Sequence, residues 1–275
     1  MTLIVWRLQS GGGGIMGEPV VTIITRTKNR PVALDRALRD ILQQRFSDWQ
    51  LVLMCDAGDP LVIQKVVEPY RDAFGDRYRF LYREHSLDQP SANNFATANS
   101  QSRYIVMHDD DDTWHPDFLA RCVAYLDAAT PSVAEVVAGA QQVIEQFDGE
   151  RFTETGRRPM AWPLAPVTLE RLLDHNLWPP IAFPYRRTAG DAVGHYRDGI
   201  NALSDWDFNV RLARRFEIGV VPEVLAHWHR RPAARGPKNP YANVSYKANL
   251  RDVMKLKWEW GQIPPLWCYL FWWHY

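Results

Sequence analysis

Four consecutive aspartates, Asp109 to Asp112, follow the apolar run Tyr104-Ile105-Val106-Met107-His108. Carboxylates packed this closely repel one another, so the cluster needs either full solvation or a cation. Hard oxygen donors suit Mg²⁺ or Mn²⁺, and a diphosphate can supply the remaining oxygens. An exposed acidic turn that caps a helix starting near Pro116 would use the same residues, because aspartates favour helix N-termini. On the run alone both readings stand. Two histidines, His227 and His229, are spaced to project from the same side of the last apolar strand. Arg211, Arg230 and Arg231 are candidates for diphosphate contact or ordinary solvated charges.

The elements that must position these groups can be read from periodicity. Residues 20–25 form a first strand, after which Pro31 opens a helix carrying Leu34, Leu38, Ile41 and Leu42 on one face. Residues 50–55 give a second strand, 61–74 a second helix, 79–82 a third strand and 91–100 a short helix capped by Ser91. The buried strand 104–108 then runs into the aspartates. Alternation of strand and helix over 20–126 predicts βα units and a mainly parallel sheet. In such sheets chemistry collects at the carboxyl ends of the strands, which selects loops 25–30, 55–59 and 109–112 as the walls of one pocket. Beyond Leu126 the pattern predicts strands at 133–140 and 143–147, a polar excursion at 150–158, a helix at 168–176 and a turn entering a strand over 178–187. Ser204 is predicted to cap a helix over 205–215.

The chain has 275 residues, 46% hydrophobic and 23% charged, enough to bury a sizeable core and ordinary for a folded protein. Its 32 basic and 32 acidic residues cancel, so no global field favours nucleic acid, and a small-molecule or glycan partner is expected. Three scattered cysteines suggest neither a disulfide scaffold nor a zinc ribbon, and fit a reducing, cytoplasmic compartment. Residues 1–17, with an apolar hexamer and four glycines at 11–14, read as a flexible leader outside the fold. No stretch approaches the roughly 18 apolar residues of a membrane span.

Three blocks, "VVTIITRTKNRPVALDRALRDILQQRFSDWQLVLMCDAG", "PSANNFATANSQSRYIVMHDDDDTWHPDFL" and "LSDWDFNVRLARRFEIGVVPEVLAHWHRRP", together resemble glycosyltransferase family 2 in order, spacing and strand context. The resemblance runs from about Val20 to Pro232. It implies a GT-A-like α/β fold with a Rossmann-like nucleotide-binding half. By likeness to the family, Thr25 and Arg30 face the nucleotide, Asp56 reads the base, and Asn94 lies on the donor side. Asp109 and Asp110 meet the ribose or donor sugar, Asp111 ligates Mn²⁺ or Mg²⁺, and a late histidine, His229 or its alternative His227, completes the metal site. Asp205 matches the family's catalytic base, with Asp207 as the alternative. A carboxylate at a helix N-terminus would be kept ionised by the helix dipole and placed to take a proton from an acceptor hydroxyl. Two positions depart from the family pattern: Cys55 stands where a second aspartate is usual, and Ser204 where glutamate is common.

The resemblance thus implies a metal-dependent, inverting transfer of one sugar from a nucleotide sugar, UDP-linked, to a glycan or lipid-linked acceptor in surface polysaccharide or glycoconjugate synthesis. Residues 18–232 would form the catalytic domain, with donor binding in 18–126 and acceptor binding in 127–232. A non-catalytic sugar-nucleotide or glycan-binding protein and a nucleotidyltransferase are the alternatives. The extension 233–275 concentrates tryptophan, tyrosine and phenylalanine behind Lys255 and Lys257. Such rings suit peripheral contact with the inner face of a membrane, and equally suit packing on the domain or on a second copy in a homo-oligomer.

Overall fold

The computed structural model describes residues 4–6, 17–86, 88–160, 166–200, 203–232, 234, 241, 253 and 255–261. Its strands are β1 (Ile4–Trp6), β2 (Val21–Thr27), β3 (Trp49–Asp56), β4 (Tyr78–Arg83), β5 (Tyr104–Met107), β6 (Thr113–Trp114), β7 (Val133–Phe147), β8 (Phe152–Pro159), β9 (Tyr185–Arg186) and β10 (Glu217–Arg230). Its helices are α1 (Pro31–Leu42), α2 (Pro60–Val67), α3 (Arg71–Phe74), α4 (Gln89–Ala98), α5 (Phe118–Ala128), α6 (Leu169–Asp174), α7 (Arg187–Val193) and α8 (Ser204–Ala213).

All ten strands join one sheet in the order β1-β4-β3-β2-β5-β9-β7-β10-β6, with β8 added to β7. The first half is parallel, as the βα alternation requires: β2 lies between β3 and β5, and β3 pairs β4. The mainly parallel expectation holds only there. Strands β1, β6, β8 and β9 all pair antiparallel, so the whole is a mixed sheet flanked by helices. Strand β1 corrects the reading of the leader, because Ile4–Trp6 pairs with Tyr82, Leu81 and Phe80 and covers the otherwise open edge of β4.

Several local differences have simple causes. The predicted helix 61–74 is interrupted by Pro69, which lacks the N–H that helix continuity needs; Glu68–Tyr70 tightens to a 3₁₀ turn between α2 and α3. Helix α4 is capped by Asp88, whose carboxylate accepts the Ser91 N–H at 2.8 Å, and not by Ser91. Residues 133–147 form one unbroken strand, half-buried at Gln141 and Gln142 where two strands were predicted to part. The polar excursion is β8, returned by a turn in which Asp148 accepts the N–H groups of Glu150 and Arg151 and Gly149 takes φ 108°. Strand β10 pairs in parallel with β7 and bulges past Val221. Its backbone at Glu223 comes so close that any Cβ at Gly139 would collide with it.

The core joins both halves, from Ile23, Leu51 and Val106 to Val136, Phe183 and Phe208. Part of the aromatic extension belongs to it. Leu256 is fully buried, Trp260 meets Trp206 of α8 edge-on at 5.1 Å, and Lys257 Nζ donates to the Asp174 carbonyl at 2.8 Å. Trp258 remains 47% exposed. Residues 262–275, which carry the rest of the aromatic segment, lie outside the described residues. Among the described residues no helix is long and apolar enough to cross a membrane. Cys55 and Cys122 are buried free thiols. Leu256→Ala is expected to cost about 2–5 kcal/mol in urea unfolding, the usual loss for truncating a buried leucine. A loss below about 0.5 kcal/mol, the scale of a surface change, would mean that this segment does not dock.

Candidate active site

The acid loop is strung between β5 and β6, and α1 fixes both of its shoulders. Asp40, buried near the end of α1, meets the His108 ring at 3.1 Å and accepts the Trp114 backbone N–H at 2.8 Å. Three guanidinium groups face the loop. Arg30, just before α1, donates from Nε to Asp110 Oδ2 and from Nη1 to Asp111 Oδ2, both at 3.1 Å. Arg36, two turns into α1, bonds the Asp111 carbonyl and donates to Glu145 Oε2 at 2.8 Å. Arg231, beyond β10 and 1% exposed, pairs with Asp111 Oδ2 and donates to Glu145 Oε1 at 2.6 Å. Its Nε also donates to the Tyr241 carbonyl.

Glu145 is therefore a hub. It also faces His229 Nδ1 at 2.8 Å, while His229 Nε2 lies 2.9 Å from the Thr113 hydroxyl and the His229 N–H donates to Asp112. Burial pushes the Glu145 carboxyl up, but the hydrogen bonds from His229 and Arg36 outweigh it and hold the group down at about 2. Burial lowers His229 more than Glu145 raises it, so the ring is neutral near pH 7. A neutral ring facing a carboxylate through Nδ1 must donate there, which leaves the Nε2 lone pair toward Thr113.

The four aspartates divide by environment. Burial and the Asp111 charge push Asp109 up to about 6 against the pull of Arg30. Burial also raises Asp110, opposed by Arg30, and raises Asp112 well above the usual range, reinforced by Asp111 and Asp109. Asp111 goes the other way: burial is overcome by Arg30 and Arg231, which keep it ionised. Asp111 supplies an ionised oxygen of the kind a divalent cation takes, and Glu145 sets the His229 tautomer with its lone pair on Nε2, where the Thr113 hydroxyl meets it. Among the described residues no three His, Cys, Asp or Glu side chains converge as a metal cage, so substrate oxygens and water would have to complete the coordination.

Thr25 is buried in β2 and its hydroxyl meets no partner among the described residues. Asp56, fully buried at the end of β3, accepts from Arg26 Nη1 at 2.9 Å and from the Ser86 hydroxyl at 3.0 Å. Next to it Ala57 takes a left-handed backbone, φ 57°, of the kind that costs energy in a residue with a side chain. The Asn94 amide is committed to protein: it donates to the Tyr196 carbonyl at 2.7 Å and accepts the Tyr196 N–H at 3.1 Å. The resemblance puts that residue on the donor side; the structure uses it to tie α4 to the segment after α7.

Asp205 and Asp207 sit in the first turn of α8, which starts at Ser204 after a left-handed Leu203, so Ser204 is not the cap. Asp207 is fully buried and clamped by Arg197, Nε at 2.9 Å, and by Arg211, Nε at 2.8 Å. Arg211 also bonds the Val193 and His195 carbonyls, which removes it from the diphosphate candidates. Arg230 stacks over Trp228 at 4.4 Å. The Asp205 carboxylate has a lighter hold, from Asn176 Nδ2 at 2.8 Å. Burial raises it above the ordinary carboxylate value, against that hydrogen bond, so the helix terminus does not dominate as expected.

Arg36, Asp40, Thr113 and Glu145 were missed from sequence. Only Glu145 left a signal, an acid on the inward face of a strand whose alternate neighbour Val143 is buried. Because its folded value lies below the ordinary Glu value of 4.5, its stabilisation is complete above that pH and fades as the pH falls toward 2. Glu145→Gln is expected to lower stability at neutral pH by about 1–3 kcal/mol, because it weakens charged hydrogen bonds from Arg36 and Arg231 while Arg231 keeps Asp111 and the Tyr241 carbonyl, and to flatten the pH dependence of urea unfolding over that window. Parallel stability curves for the two proteins would contradict the hub.

The family model "Glycosyl transferase family 2" matches residues 22–192. The chain is similar to an uncharacterized protein of Sinorhizobium fredii, 24% identical over 260 residues, which covers 90% of this chain but 26% of that protein. It is 26% identical over 197 residues to the PGL/p-HBAD biosynthesis glycosyltransferase of Mycobacterium tuberculosis, covering 71% of this chain and 70% of the relative. In fold it resembles the crystal structure of S. aureus TarS 1–349 in complex with UDP-GlcNAc, with a TM-score of 0.66 at 16% identity over 86% of this chain and 65% of that one. The match of the family model over more than half of the sequence shows that this chain belongs to glycosyl transferase family 2.

Proposed function

We propose that the chain moves one sugar, with inversion, from a UDP-sugar to a hydroxyl of a glycan or lipid-linked acceptor in surface polysaccharide or glycoconjugate synthesis, at the cytoplasmic side of the membrane. The observation that carries this reading is the gathering of Asp109–Asp112 with Arg30 and Arg231 beside the carboxyl ends of β2 and β5. A nucleoside diphosphate leaves with developing negative charge, and a site that stabilises it must hold fixed positive charge there. The UDP-GlcNAc in TarS and the biosynthetic name of the mycobacterial relative support the donor and acceptor classes.

In this reading Thr25, Arg30 and Asp56 line the nucleotide, and Asp109 and Asp110 orient the ribose and donor sugar. Asp111 and His229 would hold Mn²⁺ or Mg²⁺, which when bound supplies Lewis-acid neutralisation of the diphosphate. Arg30 and Arg231 keep Asp111 ionised and ready to ligate. Asp205 takes the proton of the acceptor hydroxyl as its oxygen attacks the anomeric carbon from the face opposite the nucleotide. Asp207 is excluded from that role by its two arginines.

UDP or a UDP-sugar is expected to raise the melting temperature in Mn²⁺ and not in excess chelator, since a ligand at about 100 times its Kd adds about 2.7 kcal/mol. Asp111→Asn should lose most of that metal-dependent shift. Equal shifts with and without metal would remove the cation from the mechanism, and a shift with GDP-sugars alone would move the base specificity.

Asp205→Asn should retain donor-induced stabilisation while turnover falls by about 10² to 10⁴, the usual worth of a positioned base. Asp207→Asn should instead lower stability by about 3–5 kcal/mol, because it leaves two arginines short of their counter-charge. Near-normal turnover in Asp205→Asn, with donor hydrolysis and transfer both assayed, would unseat the base assignment.

A further inference from the structure

Behind Asp205 the core contains a second acid that the mechanism above does not use. Glu135, on β7, is fully buried, and among the described residues neither carboxylate oxygen meets a donor at ordinary hydrogen-bond geometry, the Trp178 indole being the group turned toward it. No cation among the described residues pairs with it. An ionised carboxylate in that position would be costly, so the group is held neutral, with a proton to donate. Burial drives the Glu135 carboxyl well above the usual range; the Trp178 indole opposes this and the charge of Asp205 adds to it.

Glu135 and Asp205 are joined by one short segment. Asn176 donates to Asp205 Oδ2 at 2.8 Å, and two residues on Trp178 turns its indole toward Glu135. The surrounding elements hold several buried polar atoms without a hydrogen-bond partner among the described residues: Trp178 Nε1, Asn176 Oδ1, the hydroxyls of Tyr185 and Tyr196, and both amide atoms of Asn209. Asn209 lies one turn beyond Asp205 on α8, Tyr185 is the sheet partner of Glu135, and both tyrosine rings pack on Phe208 at 4.8 and 4.9 Å. Buried polar atoms in native proteins are almost always satisfied, and internal water is what satisfies those that protein does not reach.

We infer that Glu135 is a positioning residue for Asp205: it stays neutral, and its O–H, relayed through internal water in this polar compartment, hydrogen-bonds the Asp205 carboxylate and favours its ionised form. The inference rests on Asp205 being the base only for its functional consequence. Other ionisable groups around the pair are already engaged. Asp207 holds Arg197 and Arg211, Arg197 also pairs with Glu259, His195 pairs with Asp191, Lys257 binds the Asp174 carbonyl, and Arg187 donates to the Ser102 carbonyl. Tyr185 and Tyr196 stay neutral, since burial raises both.

Infrared difference spectroscopy reads both acids without any activity. The difference between wild type and Glu135→Gln should contain a protonated-carboxyl band at neutral pH. The difference between each protein and its Asp205→Asn counterpart gives the ionisation midpoint of Asp205. Glu135→Gln, which is neutral and keeps a donor, should leave that midpoint in place, whereas Glu135→Met should raise it by about one pH unit, the scale of a hydrogen bond to a charged group. The acidic limb of kcat/KM should move with it. Absence of the protonated band, or a fall in the Asp205 midpoint in Glu135→Gln, would show that Glu135 is ionised and overturn the inference. So would an unmoved midpoint in Glu135→Met. Should the methionine variant fail to fold, Glu135→Leu takes its place, with the same rise expected and an unmoved midpoint again overturning the inference. A midpoint that moves as expected while Asp205→Asn keeps full turnover would sustain the Glu135 inference and defeat the base assignment instead.

Discussion

Everything around the acid loop follows from the cost of gathering four aspartates in a buried turn. No single counter-charge offsets them, so the chain supplies Arg30 and Arg36 from one side and Arg231 from the other. Cations at that density would repel one another, and Glu145 places a negative charge between Arg36, Arg231 and the His229 ring by pairing with all three. The result is a lattice of alternating sign that links α1, the β5–β6 loop, β7 and the end of β10. Charge balance thus contributes to how the two halves of the sheet meet, and in the proposed reaction a diphosphate would bind by exchanging partners within that lattice.

The second acidic pair obeys a different rule. Asp205 and Asp207 are two positions apart on α8, so they face different surroundings. Asp207 turns to the arginines of the α7–α8 side, whereas Asp205 turns to Asn176 and pairs with no arginine among the described residues. The raised value of Asp205 is compatible with a base, because proton transfer is most effective when the acceptor titrates nearer the working pH.

Much of the donor half was legible in the sequence. Periodicity located β2, α1, β3, β5 and the acid run, and the strand-end rule selected the loops that hold Arg30, Asp56 and Asp109–Asp112. Membership in the family answers the choice between glycosyl and nucleotidyl transfer that the acids alone left open. What failed depended on partners distant in the chain. Strand β1 is short and forms only because β4 offers an edge. Strand β8 is polar throughout and owes its form to β7. Arg231 could be named as a candidate, but its role as a buried link between Asp111 and Glu145 needed β7 and β10 in register. Asn94 matched a family position, yet its contacts are with Tyr196, a partner that no local pattern reveals.

The docking of residues 255–260 on α8 has a consequence for the order in which the molecule is made. Trp206 and Arg197 leave the ribosome well before Trp260 and Glu259, their partners in the finished fold. Until those arrive, the helix bearing Asp205 presents an uncovered indole, a surface that chaperones bind and that other nascent chains can stick to. Helix α8 therefore stays incompletely covered until residues 255–260 have been made, and the acid loop likewise waits for Arg231, so both acidic clusters are completed by late sequence.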